Sequence, residues 1–281
     1  MRSKQLPVIA VFWMRQLFSS RHGTLFLVFF GLLHAMTALW TVMLADNLAS
    51  MTATTGVRDF GLVYDVISKV SDLDRSTIEA ILKSHPPILV ALFSVAVVGV
   101  PWLTLFATFD QTASDISSRH MRFLLVRTDR ATLYLGRALG ALAFVALCEA
   151  VGLAILAGTL AAKGELGGLS GVLYVGRVWL SLVLYSVPFV ALTAAASAIT
   201  GRPLWSLACS YAFWVGIVIV AGLGGLMHES ISSLTYILPT ALKYNVISDE
   251  WGDLFAVLAH TLGLGAIYLG IGYARLRRRA V

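Results

Sequence analysis

Asp110-Gln-Thr-Ala-Ser-Asp115-Ile-Ser-Ser-Arg119-His-Met-Arg122-Phe-Leu-Leu-Val-Arg127-Thr-Asp-Arg130-Ala-Thr-Leu-Tyr-Leu-Gly136-Arg137 is the stretch on which the reading of this chain turns. It is polar, carries five arginines, and lies between two segments apolar enough to cross a bilayer. Asp115 and Arg119 stand four apart, the spacing at which opposite charges pair along a helix face. Met121, Leu124 and Leu125 have the three- and four-residue spacing of an apolar seam. A short amphipathic helix with one apolar and one cationic side suits docking onto something soluble. The plain alternative is a cationic loop that only fixes orientation.

Working outward, the flanking sequence is that of a polytopic membrane protein. Of 281 residues, 58% are hydrophobic and 13% charged, and the mean hydropathy is +0.82. A soluble domain is nearer a quarter charged, roughly 25%. Six runs approach the ~20 apolar residues that a crossing needs: 24–45, 87–109, 136–162, 172–199, 206–227 and 254–274. The expected architecture is therefore all-α, with a transmembrane domain over 24–274 and a basic tail at 275–281. Pro101 and Pro188 fall inside the second and fourth runs, where neighbouring helices must cover the freed carbonyls.

Before the first run, residues 1–23 carry Arg2, Lys4, Arg15 and Arg21, with Pro7 suited to a first helical turn. Ile9, Trp13 and Leu17 recur every four residues and are joined by Phe12, which predicts a helix lying in the membrane interface. No cleavable signal peptide is expected, because the first apolar run starts late and is too long for one.

Lys and Arg fix the orientation. With the N-terminus inside, the cytoplasmic parts hold fourteen of the 21 basic residues, including the five of the loop, Arg202 and Arg275 to Arg279. The seven others are Arg58, Lys69, Arg75, Lys83, Lys163, Arg177 and Lys243. Both termini are thus expected in the cytoplasm. The net charge of +6 follows from this asymmetry and does not indicate nucleic acid. Two outer segments, 46–86 and 228–253, are long enough to form more than connectors. Ser76-Thr-Ile-Glu79 is a capping-box pattern that predicts a short helix in the first. Ile231, Leu234 and Ile237-Leu238 suit an interfacial dip in the second.

Asp115-Ile116, Leu124-Leu125, Arg130 and Gly136-Arg137 together resemble the intracellular loop of ABC-2 type permeases, the membrane subunits of a class of ABC transporters. That loop runs Asp-x-Ile/Val, a charged turn, a Gly-Thr step, Leu-Leu, a proline-containing turn and Gly-Lys. This chain has Arg119-His-Met-Arg122 where the acidic-Arg and Gly-Thr elements stand, and it lacks the proline. The resemblance implies a six-span ABC-2 type transmembrane domain with an amphipathic N-terminal helix, in a bacterial inner membrane. It implies two copies of a separate ATPase subunit and a second permease half, identical or a paralogue. It also implies that Asp115, Arg119, Arg122, Leu124, Leu125, Arg127 and Arg130 couple the ATPase to the spans. ATP would be bound by that partner, since no Gly-x4-Gly-Lys-Ser/Thr loop exists in this chain and no cofactor of its own is expected. Export of an unidentified substrate is the expected direction; motion passed to a periplasmic partner is the other use.

Three constellations within the runs bear on chemistry. Glu149 is the one carboxylate deep in a span, thirteen residues beyond Gly136, or about 20 Å at 1.5 Å per residue. Acidic residues at such depth face a cavity or a partner. Two readings stand open: Glu149 lines the translocation path, or it is structural, protonated or bonded to a neighbouring helix. Arg177 either snorkels beside Tyr174 and Trp179 or pairs with Glu149. Gly167-Gly-Leu-Ser170-Gly171 and His260 resemble the nucleophile motif and final-helix histidine of rhomboid intramembrane serine proteases, the enzyme alternative. That dyad requires the hydroxyl within reach of the imidazole. Otherwise Ser170 caps a helix and His260 packs between helices. Gly222 and Gly225, in a glycine-rich fifth run, are candidates for a dimer seam implied by the permease resemblance, or for packing inside one subunit. Cys148 and Cys209 sit in apolar runs without metal-ligand spacing and read as small core residues. No metal site is expected.

Overall fold

A computed structural model describes residues 5–55, 82, 87–164, 166–225, 236–238, 241, 245–246 and 251–279. Among these residues the chain is helical throughout, without strands. The principal helices are α1 (Leu6–Ser19), α2 (Arg21–Thr55), α3 (Pro87–Thr108), α4 (Ala113–Ser117), α5 (Met121–Arg127), α6 (Arg130–Ala162), α7 (Leu169–Thr200), α8 (Pro203–Gly225) and α9 (Trp251–Arg278). Helices α6 to α9 are each long and apolar enough to cross a membrane. The pair Leu6–Ser19 and Gly23–Leu39, bent by 71°, makes a fifth if counted as one broken span. The described parts of the six expected runs are helical but for Phe109, while four of these helices, not six, are long and apolar enough to cross singly. These are the marks of a membrane-embedded protein, whose backbone polar groups must be satisfied within the segment. The expected capping box at Ser76 to Glu79, and most of 46–86 and 228–253, lie outside the described residues.

Helix α7 is the axis. It packs against α3, α6, α8 and α9, and Tyr185, Phe189, Ala194 and Ala198 on it are fully buried. Small residues at 194 to 198 let neighbouring backbones come close, so the end of α7 becomes the place where several elements meet. Contacts fix the directions of the others. Phe26 on α2 stacks near Phe144 on α6, and further along His34 lies against Gly152, so α2 and α6 run side by side in one sense. The C-terminal ends of α3, α7 and α9 meet the N-terminal ends of α6 and α8, through bonds described below. Helices α2, α3, α6, α7, α8 and α9 thus alternate in direction.

Local sequence explains the main breaks. Pro7 stands in the first turn of α1, where its missing N–H costs nothing. Ser20 closes α1 in extended conformation, and its hydroxyl accepts from Gly23 N at 3.0 Å, capping α2 and producing the bend. Asp129 caps α6: its carboxylate accepts from Thr132 N at 2.8 Å and from the Thr132 hydroxyl at 2.7 Å. The helix therefore starts six residues before the apolar run at 136, because lipid thickness and helix length are different quantities.

The Trp13 and Leu17 side of α1 packs on protein. Trp13 and Leu17 are buried in one cluster with Phe26, Ala141, Phe144 and Val145, while Phe12, Val8 and Val11 are exposed. The reason is a pair of glycines. A Cβ on Gly136 would stand 2.7 Å from Ile9 Cγ2, and one on Gly140 would stand 3.0 Å from Trp13 Cβ. Gly136-x-x-x-Gly140 is therefore a groove into which α1 settles. The outer apolar side of α1 is left exposed.

Candidate functional site

The junction where these helix ends meet is built from residues 110–137. The chain does not emerge into solvent after α3. Phe109, Asp110, Gln111 and Thr112 are buried and held by hydroxyls of α7 and α8. Thr108 Oγ1 and Thr193 Oγ1 are 2.8 Å apart. The Gln111 amide donates to Val190 O at 3.0 Å and Thr193 Oγ1 at 3.1 Å, Thr112 N donates to Ser197 Oγ at 2.8 Å, and Ser206 Oγ donates to Phe109 O at 2.7 Å. Backbone buried away from water must find such partners; Ser197 of α7 accepts from Thr112 N and Ser206 of α8 donates to Phe109 O.

Arg137 is the centre of this junction. It is only 6% exposed. Its Nη1 donates to Gln111 O at 2.6 Å, its Nη2 pairs with Asp115, and its guanidinium lies 4.6 Å from the centre of the Trp13 ring. One side chain thus joins α6, the buried strip 109–112, α4 and α1. The planar fork and its capacity to stack are specific to arginine. In sequence Arg137 stands out only as a loop cation and as part of the Gly136-Arg137 step of the resemblance, with no role of its own. The signal that points to it is its place inside the Gly136-x-x-x-Gly140 groove.

Asp115 therefore pairs with Arg137, and not with Arg119 as the four-residue spacing suggested. Helix α4 ends at Ser117, and Arg119 takes a left-handed conformation, φ 60°, so no helix face connects them. A buried guanidinium needs a counter-charge far more than an exposed one does. Leu124 and Leu125 are half-buried against the cluster of Met121, Leu133, Tyr134, Ala194, Ala198 and Leu276, so the expected seam faces inward. What α5 offers outward is Arg122, Phe123, Val126 and Arg127; Phe123 is 71% and Val126 85% exposed. Arg119 is exposed beside them.

Arg130 is engaged within the chain. Its Nη1 donates at 2.9 Å to each of Leu276 O, Arg277 O and Arg279 O, closing the carbonyl end of α9. Arg279 does the same for α7, donating to Ala198 O at 3.1 Å. The residues read as a basic tail are thus mostly the last turn of α9 and a clasp against α7.

Away from the junction, Glu149 is 4% exposed and lines a 240 Å³ cavity between α2, α3 and α6. No hydrogen bond or ion pair reaches its carboxylate among the described residues. Arg177 lies with its guanidinium 5.3 Å from the centre of the Trp251 ring. Ser170 Oγ donates to Gly167 O at 2.9 Å and the His260 ring meets Leu238 O at 3.3 Å. No hydrogen bond joins the serine to the histidine among the described residues. Gly222 and Gly225 lie in the last two turns of α8, and their surroundings are outside the described residues. Nor do any three His, Cys, Asp or Glu side chains among the described residues gather as a metal site. No protein-family model matches the chain, and no curated protein matches it in sequence.

Proposed function

We propose that this chain is the membrane half of an ABC-2 type ABC transporter, with six spans and both termini in the cytoplasm. Two halves, identical or paralogous, and two separate ATPase subunits make the working unit. ATP closure of the motor is passed through α5, α4 and α1 into the spans, and the cargo is exported. Glu149 lines the route. Gly222 and Gly225 remain candidates for the seam between halves.

The observation that carries this reading is the outward face of α5. Arg122, Phe123, Val126 and Arg127 project from a seven-residue helix whose inner residue, Met121, is wholly buried. An exposed phenylalanine flanked by arginines matches the enrichment of aromatic residues and arginine at soluble interfaces. A push on this helix is transmitted by Met121 to α6, α7 and α9, and by the Asp115–Arg137 pair to α1. Coupling requires that the motor contact this surface differently in its two states. The alternating helix directions and the arginines gathered at this one end fit a cytoplasmic junction.

The test is association with the motor in the native host. Tagged protein should co-purify with a Walker-type ATPase. The double charge reversal Arg119→Glu and Arg122→Glu, and separately Phe123→Ala, should weaken association with the ATPase about thirtyfold or more, since hot-spot losses are roughly 2 kcal/mol or more. The yield and elution profile of the chain itself should not change. Undiminished co-purification after these changes, or no ATPase with the unaltered protein, counts against the reading.

A further inference from the structure

We propose that the chain holds one anionic phospholipid, drawn from the leaflet at the junction end, with its headgroup at Arg127 and an acyl chain laid along α6. An open recess of 630 Å³ is lined by Arg127, Asp129, Ala131 and Tyr273, among others. A second cavity, of 200 Å³, is lined by apolar side chains alone, among them Leu6 of α1, Leu135, Ala138 and Leu142 of α6, Ala191 of α7 and Leu269 of α9. The two are consecutive along shared helix faces. Ala131, Leu135, Ala138 and Leu142 follow one another at four, three and four residues, a single stripe of α6. Tyr273 and Leu269 stand one turn apart on α9, and Leu125, Leu135, Leu269 and Tyr273 pack against one cluster. From Ala131 to Leu142 the stripe rises about 16 Å at 1.5 Å per residue, close to half of the ~30 Å hydrocarbon core. A polar mouth leading into an apolar groove one leaflet deep has the outline of a lipid.

Charge decides the headgroup. The carboxylates at this end are engaged by the protein. Asp110 accepts from Ser114 N at 2.8 Å, Asp115 pairs with Arg137, and Asp129 accepts from Thr132 at the start of α6. No carboxylate reaches Arg127 among the described residues, and no acceptor there takes the Tyr273 hydroxyl. Arg122, Arg275, Arg277 and Arg278 are exposed at the same end. A phosphodiester accepts from a guanidinium and a hydroxyl in charge-assisted bonds, and basic pockets between membrane helices are where anionic headgroups settle. A free phosphate would leave the apolar groove unfilled. A zwitterionic lipid would bring its own cation towards Arg127. Because Leu6 forms one wall and Leu269 another, the acyl chain also fastens the start of α1 to α9. The site stands on the membrane-embedded fold and does not depend on the permease reading.

The experiment uses the full purified chain, delipidated in a nonionic detergent, with bound lipid counted by native mass spectrometry. The probes are dioleoylphosphatidylglycerol, dioleoylphosphatidylcholine with the same chains, and glycerol 3-phosphate without chains. Phosphatidylglycerol should bind saturably, one per chain, and phosphatidylcholine about fivefold or more weakly, as expected where each nearby arginine favours an anionic surface. Arg127→Ala should weaken phosphatidylglycerol about tenfold or more, the loss expected of a charged hydrogen bond, while Arg278→Ala, the same change of net charge, should have a smaller effect. Leu139 lines the groove and is 45% exposed, so Leu139→Trp should obstruct it; Leu147→Trp, at an equally exposed position outside both cavities, is the control. Gel filtration reports on folding. Equal binding of the two lipids by the unaltered protein overturns the proposal, as does displacement of phosphatidylglycerol by an equal concentration of glycerol 3-phosphate. Neither result depends on a variant. Equal losses in Arg127→Ala and Arg278→Ala, or in Leu139→Trp and Leu147→Trp, also overturn it. No ATPase takes part, so failure here leaves the permease reading intact.

Discussion

Arg137→Ala is expected to destabilise the junction more than any exposed substitution on the same surface. Removing one partner from a buried ion pair costs about 3–5 kcal/mol, because the other charge stays behind without compensation. Here the orphan is Asp115, whose side chain is 17% exposed, so the lower part of that range applies. Gln111 O loses its donor at the same time, and Trp13 loses the cation above its ring. The measurement is thermal unfolding of detergent-solubilised protein followed by tryptophan fluorescence. Arg137→Lys should fall between, retaining charge without the fork. The pair Arg137→Met with Asp115→Leu should recover part of the loss, since an apolar pair of similar volume replaces an ion pair at little cost. A melting temperature equal to that of the unaltered protein after Arg137→Ala would refute the central place given to this side chain.

Gly140→Leu should dislodge α1 from α6. Even a methyl group at 140 would press on Trp13 Cβ at 3.0 Å and on the Ala10 carbonyl carbon at 3.2 Å. Backbone cannot yield as a flexible side chain does, and overpacking of this kind costs about 1–3 kcal/mol. The readout is limited trypsin digestion, scored by mass spectrometry for cleavage after Arg15, an exposed residue in the middle of α1. Cleavage follows the population of the detached form when opening is fast, so the rate should rise about tenfold or more. Gly158→Leu on the same helix is the control, because nothing lies within 4 Å of its Cβ position. Equal cleavage in the two variants would show that the 136–140 groove does not hold α1.

Hydropathy finds the helices of this protein because a lipid-facing helix cannot hide polar residues. Their ends are less legible. Asp129 and Thr132 start α6 a turn and a half before the apolar run, and the last turns of α9 hold Arg275, Arg277 and Arg278. The loop was legible in its period and not in its direction. Met121, Leu124 and Leu125 do form a seam, yet it turns to α6, α7 and α9 and leaves Phe123 and Val126 outside. Charge spacing misled at Asp115, because a four-residue rule presumes a continuous helix and α4 has five residues. Arg130 looks like any loop arginine until the carbonyls of α9 appear beside it. Glu149 was legible as a buried acid, while His34, far away in sequence, came into view only when α2 was laid against Gly152.

The clasp between Arg130 and the end of α9 also has a meaning in time. Donor and nearest acceptor are 146 residues apart in the chain. At synthesis rates of about 5–20 residues per second, the arginine waits roughly 7–30 s for its carbonyls. Throughout that interval the nascent junction stays unfastened, available to a chaperone or a protease at the ribosome-bound stage. Insertion of α9 is then the event that fastens the junction.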